Sequence, residues 1–129
     1  MAVDGPIDPE TGPPAIGGYA QGFGVPAGAG LLFVSGQIPV DAAGDVPVGF
    51  EAQCRLVWGN VVGTLEAAGL GVEHLVNVTT FLSSRDHADV NGDVRREVLG
   101  AHRPALTVVV AEIFDPAWFL EIEAIARTA

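Results

Sequence analysis

Three features of the sequence combine residue types that could act chemically on a small molecule. Ser35, Gly36 and Gln37 close a predicted strand with a hydroxyl, a bare backbone and an amide, which together can offer several hydrogen-bonding groups to a ligand. Tyr19, the only tyrosine of the chain, falls on the preceding predicted strand. Glu121 is an acid inside an otherwise apolar strand, where a carboxylate either faces solvent or needs a partner or a role. The pattern leaves both interpretations of Glu121 open.

Common motifs for phosphates, metals and cofactors are missing. A glycine-rich run joins two predicted strands instead of opening a helix, which indicates a hairpin and not a phosphate-binding loop; its members are Gly22, Gly24, Gly28 and Gly30. The histidines are far apart and have no paired cysteines, which argues against a metal site; they are His74, His87 and His102. Cys54 is the single cysteine, so no internal disulfide forms, and we predict that it lies in the core. We expect neither a metal nor another cofactor.

The charge balance is strongly acidic. The 129 residues include 16 Asp and Glu against 6 Arg and no Lys, which gives a formal net charge of -10. Such a chain lacks the basic surface with which proteins neutralise nucleic-acid phosphates or bind anionic membranes, and no apolar stretch is long enough to span a bilayer. Arg95 and Arg96 stand beside Glu97 and are predicted to be solvated ion-pair surface. We expect a cytoplasmic protein without nucleic-acid or membrane partners.

The periodicity of the apolar residues predicts the elements that position these groups. Residues 1–14 are rich in proline and glycine and predict an extended N-terminal arm, followed by a single domain over residues 15–129. Alternating and β-branched patterns predict five strands, at residues 18–25, 31–37, 75–82, 105–112 and 119–126. The first two strands are close enough to form a hairpin, and two helices are predicted at residues 50–68 and 86–99. The order β-β-α-β-α-β-β is typical of an α+β sandwich, a mixed sheet with two helices on one face. The opposite face of such a sheet is left open, and its apolar content predicts that other subunits cover it.

Local signals define the ends of the two helices. Apolar residues recur at three- and four-residue spacing from Phe50 to Ala68, and Gly69 fits a left-handed cap after them. Ser84 is a candidate N-cap of the second helix, and Gly100 is its predicted stop.

The sequence resembles the RidA (YjgF) family over about residues 13–127. The matching stretches are residues 15–21, 33–39, 65–69, 77–82, 90–91 and 121–126. The resemblance implies a chorismate-mutase-like α+β fold, a homotrimer around a central barrel, and small-molecule clefts between subunits. It also implies hydrolysis of reactive enamines and imines, such as 2-aminoacrylate or its imine tautomer, to a keto acid and ammonia.

The same resemblance implies roles for individual residues. The family tyrosine falls on Tyr19 and its glutamate on Glu121, both around the reacting centre, so these two are the predicted catalytic residues. The Ser-Gly backbone falls on Ser35 and Gly36, and the helix asparagine falls on Asn91, all as substrate-binding residues.

One departure from the family concerns the substrate carboxylate. Where the family carries an arginine that pairs with this carboxylate, the chain has Leu106, and where a cysteine is frequent it has Val108. Leucine cannot replace a bidentate guanidinium. The cleft is therefore predicted to be more apolar and more acidic, and to bind free carboxylates poorly, unless Arg103 or another cation enters it. The substrate is then an altered or non-carboxylate imine.

Three further functions stay open. The same cleft could run a lyase or ring-opening step, or the chain could be a non-catalytic trimer that binds small molecules or partner proteins. A ribonuclease role, also attached to the family, is disfavoured because the chain is acidic and has no lysine.

Overall fold

The computed structural model describes residues 3–128, which contain six strands and two α-helices. In chain order they are β1 (Gly5–Ile7), β2 (Gly22–Gly24), β3 (Leu31–Gln37), α1 (Phe50–Ala67), β4 (Leu75–Leu82), α2 (Ala88–Leu99), β5 (Ala105–Val110) and β6 (Leu120–Arg127). Residues 1, 2 and 129, at the ends of the predicted arm and domain, lie outside the described range.

Four strands form the main sheet in the order β3-β6-β4-β5. β4 and β5 run parallel, whereas β6 is antiparallel to both β3 and β4, so the sheet is mixed. Alternate residues of β6 are buried under the helices: Leu120, Ile122, Ala124 and Ala126. α1 packs its apolar stripe against them, with Cys54, Val57, Trp58, Val61 and Leu65 all buried. The predicted α+β architecture and the predicted alternation of the last strand are confirmed.

Both helix ends follow the predicted local signals. Gly69 has a φ of 74°, and the amides of Gly69 and Leu70 donate to the carbonyls of Glu66 and Leu65, both at 2.9 Å. This is the left-handed cap that a glycine permits. At the second helix, the Ser84 hydroxyl accepts from the Asp86 amide at 3.1 Å. Here a single 3-10 turn, Arg85–His87, precedes α2, so the α-helix begins two residues later than predicted.

The predicted hairpin between the first two strands is wrong. β2 pairs with β1 from the N-terminal arm, with Gly5 opposite Gly24 and Ile7 opposite Gly22, whereas β3 pairs with β6. β6 is long, and every second residue is buried, so its side chains can pack beside those of β3. The Gly-Phe-Gly sequence of β2 has almost no side chains for such packing.

The sheet face that points away from the helices carries exposed apolar side chains. Phe33 is 69% exposed, and Leu31 and Val109 share this outer face. Exposed apolar patches often mark interaction surfaces. Coverage of this face by other subunits stays a prediction. Within the described residues, neither α-helix combines the length and apolarity needed to cross a membrane.

Candidate functional site

Glu121 and Gly36 are held together by a bulge in the β3–β6 pairing. The register shifts between Val34, opposite Ala124, and Gln37, opposite Ile122, so β3 carries an extra residue at this point. The Glu121 carboxylate fills the space beside the Gly36 backbone, where an added β-carbon would lie 2.8 Å from Cδ and 3.1 Å from Cγ of Glu121. Only glycine leaves room for this carboxylate.

Ser35 lies beside this pair on the outer face of the sheet. Its side chain is exposed, and it lines a cavity of about 240 Å³ on that face together with Phe33, Thr79 and Glu123. The Ser35 carbonyl accepts a hydrogen bond from Nε2 of Gln37 at 3.0 Å. Ser35, Gly36 and Glu121 therefore form one cluster, which we call the glutamate cluster.

A second group of predicted residues surrounds a larger cavity beside α2. This cavity, the α2 cleft, has a volume of about 520 Å³ and is lined by one side of α2 from Ala88 to Arg96, by Ile16 and Gly17, and by Val108 of β5. Asn91 is 2% exposed, and its Oδ1 lies 4.0 Å from the Cys54 sulfur in the core.

Leu106 and Val108 have different surroundings although both point toward the helices. Leu106 is paired with Val78 of β4 and packs against the hydrophobic core. Val108, paired with Thr80, is 41% exposed and faces the α2 cleft. Of the two positions at which the chain departs from the family pattern, only Val108 lines the cleft.

Arg103 is bound to the N-terminal arm. Its Nε donates to the Tyr19 carbonyl at 3.3 Å, and its Nη2 forms an ion pair with Asp8. Asp8 also accepts from the Gln21 amide at 2.9 Å, and these two partners, the amide first, lower the pKa of the Asp8 carboxyl. Arg103 is thus paired with Asp8 and is not among the residues that line the α2 cleft in one copy of the chain.

Arg95 and Arg96 both line the α2 cleft, and the predicted exposure of Arg95 is wrong. It is 6% exposed, lines the α2 cleft and donates from Nη2 to the Gly17 carbonyl at 3.0 Å. Burial lowers the pKa of Arg95, the neighbouring Arg96 charge lowers it further, and the Tyr19 phenol opposes both effects. One sequence signal for the burial of Arg95 is its spacing, because it follows Asn91 by one helical turn and lies on the same face of α2.

For Arg96 the prediction of solvated ion-pair surface is confirmed. Arg96 pairs with Asp93 at 2.7 Å, and Glu97 pairs with Arg55 of α1 at 2.9 Å. Both are exposed helix-surface pairs. The Arg95 prediction fails because a buried guanidinium on a helix is rare, so composition alone assigns it to the surface.

The predicted site residues therefore form two groups on opposite sides of one sheet. Glu121 lies between the buried Leu120 and Ile122 and points away from the helices. Val108 and Asn91 lie on the helix side, with the Tyr19 phenol near Arg95. Within residues 3–128, no cluster of His, Cys, Asp or Glu side chains is arranged to hold a metal ion.

Comparisons with known proteins place this fold in a family. The family model described as Endoribonuclease L-PSP, to which the RidA and YjgF proteins belong, matches residues 10–128. The chain belongs to this family. The predicted RidA resemblance is confirmed, and so is the α+β fold, since a solved Rid-family structure from Yersinia pestis has a TM-score of 0.85 over 95% of this chain and 97% of that one, at 24% identity.

Several RidA-family relatives carry names that describe chemistry. The chain is 37% identical over 124 residues to the 2-iminobutanoate/2-iminopropanoate deaminase of Escherichia coli, covering 93% of this chain and 94% of that protein. It is 37% identical over 120 residues to a RutC family protein of Pyrococcus horikoshii, covering 91% and 92%. The crystal structure of Escherichia coli TdcF with bound serine has a TM-score of 0.73 at 33% identity, covering 96% and 98%. The family thus includes reactive-intermediate deaminases.

Proposed function

We propose that this chain hydrolyses the C=N bond of small imines or enamines, in clefts between the subunits of a cytoplasmic homotrimer. The observation that carries the proposal is the Glu121 carboxylate held against the bare backbone of Gly36. A carboxylate at this position, beside a serine and a glycine, suits the activation of a water molecule. The deaminase named among the relatives acts on imines of this kind.

A trimer accounts for the separation of the two residue groups. The glutamate cluster lies on the outer side of the sheet, and the α2 cleft lies on the helix side, so one copy does not bring them around one ligand. Packing the exposed outer face, with Phe33, against other copies would bury that face. In the proposed assembly, the glutamate cluster of one copy faces the α2 cleft of the next, and Tyr19 contacts the substrate there.

The proposed reaction has two steps that balance without a cofactor. Glu121 accepts a proton from water as the water oxygen bonds to the imine carbon, the C=N π electron pair moves to nitrogen, and Glu121 passes the proton on to that nitrogen, which gives a neutral carbinolamine. In the second step Glu121 accepts the hydroxyl proton of the carbinolamine as the C–N bond breaks and the carbonyl group forms. Glu121 delivers this proton to the departing nitrogen, which leaves as ammonia, and the carboxylate is restored.

The test uses imines generated by an amino-acid oxidase, with ammonia release as the measured rate. The wild-type chain is expected to accelerate release, and Glu121→Gln is expected to lower the acceleration by about 10²- to 10⁴-fold, the usual contribution of a general base. Glu123→Gln is the matched control, because Glu123 is an exposed carboxylate two residues along the same outer face. The proposal fails if no carboxylate-bearing or neutral imine decays faster with the wild-type chain.

Leu106 favours a second candidate, a non-catalytic trimer that binds small molecules. The position that binds the substrate carboxylate in the family packs here against the core. Ligand binding that Glu121→Gln leaves unchanged, with no turnover of any imine, would support this candidate. Ribonuclease activity is disfavoured, because a net charge of -10 opposes the approach of RNA phosphates.

A further inference from the structure

Arg95 is a buried charge without a carboxylate partner. It is 6% exposed, and its Nε is buried without a hydrogen-bond partner. Its hydrogen bond to the neutral Gly17 carbonyl engages Nη2 alone, and no acidic side chain between residues 3 and 128 forms an ion pair with it. Buried charges in proteins are normally paired. Asp89 and Asp93 also line the α2 cleft, but neither forms an ion pair with Arg95, so the cleft holds a desolvated cation without an ion-pair partner.

The Arg96 guanidinium reaches the same point of the cleft. A β-carbon built on Gly17 would lie 3.5 Å from Nη2 of Arg95 and 3.7 Å from Nη1 of Arg96. Gly17 has a φ of 110°, a conformation that disfavours any side chain there, so this side of the cleft stays open. Asp93 compensates Arg96 through their ion pair, which leaves the Arg95 charge uncompensated.

We propose that Arg95 is the anion-binding residue of the α2 cleft and that the ligand carries a carboxylate. A guanidinium presents planar N–H donors that match the two oxygens of a carboxylate, and burial strengthens the attraction because little water competes. The charge that the chain lacks at position 106 on β5 is supplied from α2. This inference refines the proposed function by naming the substrate class, since the imine would carry a free acid group, but ligand binding tests it without catalysis.

The binding test compares pyruvate with its neutral counterpart pyruvamide on the full chain, by calorimetry. The wild-type chain is expected to bind pyruvate at least tenfold more tightly than pyruvamide. Arg95→Met is expected to remove this preference while leaving pyruvamide affinity unchanged, and Arg95→Lys to keep part of it. Arg55→Met is the control, because Arg55 is an exposed arginine of α1 that pairs with Glu51 and Glu97 outside the cleft. No preference in the wild type, or a preference that survives in Arg95→Met, overturns the proposal.

A measurement on the wild-type chain covers the case in which the Arg95 variants do not fold. In a titration followed by NMR, pyruvate is expected to shift the Arg95 Nε–Hε signal and the Gly17 and Gly92 amide signals, and pyruvamide to shift them less. Pyruvate that leaves these three signals unmoved overturns the assignment. The comparison also detects a purely structural role for Arg95, which would not distinguish an acid from its amide.

The catalytic proposal and this one can fail separately. Glu121→Gln is expected to abolish turnover and to leave pyruvate affinity within about twofold, since Glu121 belongs to the other cluster. Arg95-dependent pyruvate binding without turnover of any imine would support the anion site and refute the hydrolase. Turnover of neutral imines without any preference for carboxylates would support the hydrolase and refute the anion site.

Discussion

Replacing Gly36 by alanine tests the glutamate cluster, because it moves a carboxylate without removing it. An alanine β-carbon would lie 2.8 Å from Cδ of Glu121, well inside van der Waals contact. Gly36 is not among the glycines with positive φ, so alanine adds no backbone strain at this position. The group in its way is the end of a flexible side chain. We expect the Glu121 carboxylate to rotate away while the fold is retained.

The size of the effect follows from the displacement. Oε2 of Glu121 would lie even closer to the added β-carbon than Cδ does, so restoring ordinary contact requires the carboxylate to move by more than about 1 Å, and a misplacement of about 1 Å can already cost about 10²-fold in rate. The free energy of unfolding should fall by less than about 1 kcal/mol, because no buried group loses its partner. The variant should therefore lose activity while it remains folded.

The assay combines ammonia release from an oxidase-generated imine with thermal unfolding of the same sample. Gly30→Ala is the matched control, since its β-carbon would lie 2.7 Å from Oγ1 of Thr128, a side-chain oxygen outside the cluster. It should lose similar stability and keep its activity. A folded Gly36→Ala variant with wild-type kcat would refute the role assigned to the carboxylate position, as would a Gly30→Ala variant with the same loss of rate.

Two further predictions concern the core and the outer face. Burial raises the pKa of the Cys54 thiol from 9.0 to about 12, so the native chain should resist thiol reagents at pH 8, and fast labelling without unfolding would contradict this. Between pH 9 and 12 the folded chain keeps the Cys54 thiol proton, whereas the unfolded chain releases it. The free energy of unfolding should therefore fall with rising pH in this range, by up to about 1.4 kcal/mol per pH unit. The Cys54→Ala variant should lack this contribution to the slope. Phe33→Asp should dissociate the proposed trimer in sedimentation experiments, whereas Phe114→Asp, at a still more exposed phenylalanine outside the main sheet, should not. A trimeric Phe33→Asp variant would refute the proposed packing of the outer face.

Elements that depend on local sequence were predictable. β3 and β4 have the predicted bounds, because their β-branched and apolar residues alternate between conspicuous turns. The end of α1 was predictable from Gly69, since only a residue that tolerates positive φ closes a helix in this way. The orientation of Glu121 followed from the alternation of β6.

Features that depend on distant partners were not predictable. β2 is a three-residue glycine-rich strand, and its pairing is decided by β1, whose residues carry almost no strand signal. The closeness of Glu121 to Gly36 needs the β3–β6 register and its bulge, which no local pattern encodes. The burial of Arg95 depends on Gly17, which lies 78 residues earlier in the chain and supplies the carbonyl it binds.

Positions 95 and 106 are best considered as a pair. Leu106 packs against the core beside Val78, and Arg95 reaches the cleft from α2 with only a neutral carbonyl as its partner. Arg96 also reaches the cleft, but Asp93 compensates its charge. A third guanidinium from position 106 would be repelled by the unpaired Arg95, because repulsion between like charges is strongest where water is excluded. An arginine on α2 and an arginine on β5 are therefore alternatives for one anion. If Arg95 binds the anion as proposed, the leucine at position 106 reflects a change in the element that binds the carboxylate, and strand position 106 alone does not decide the charge of the ligand.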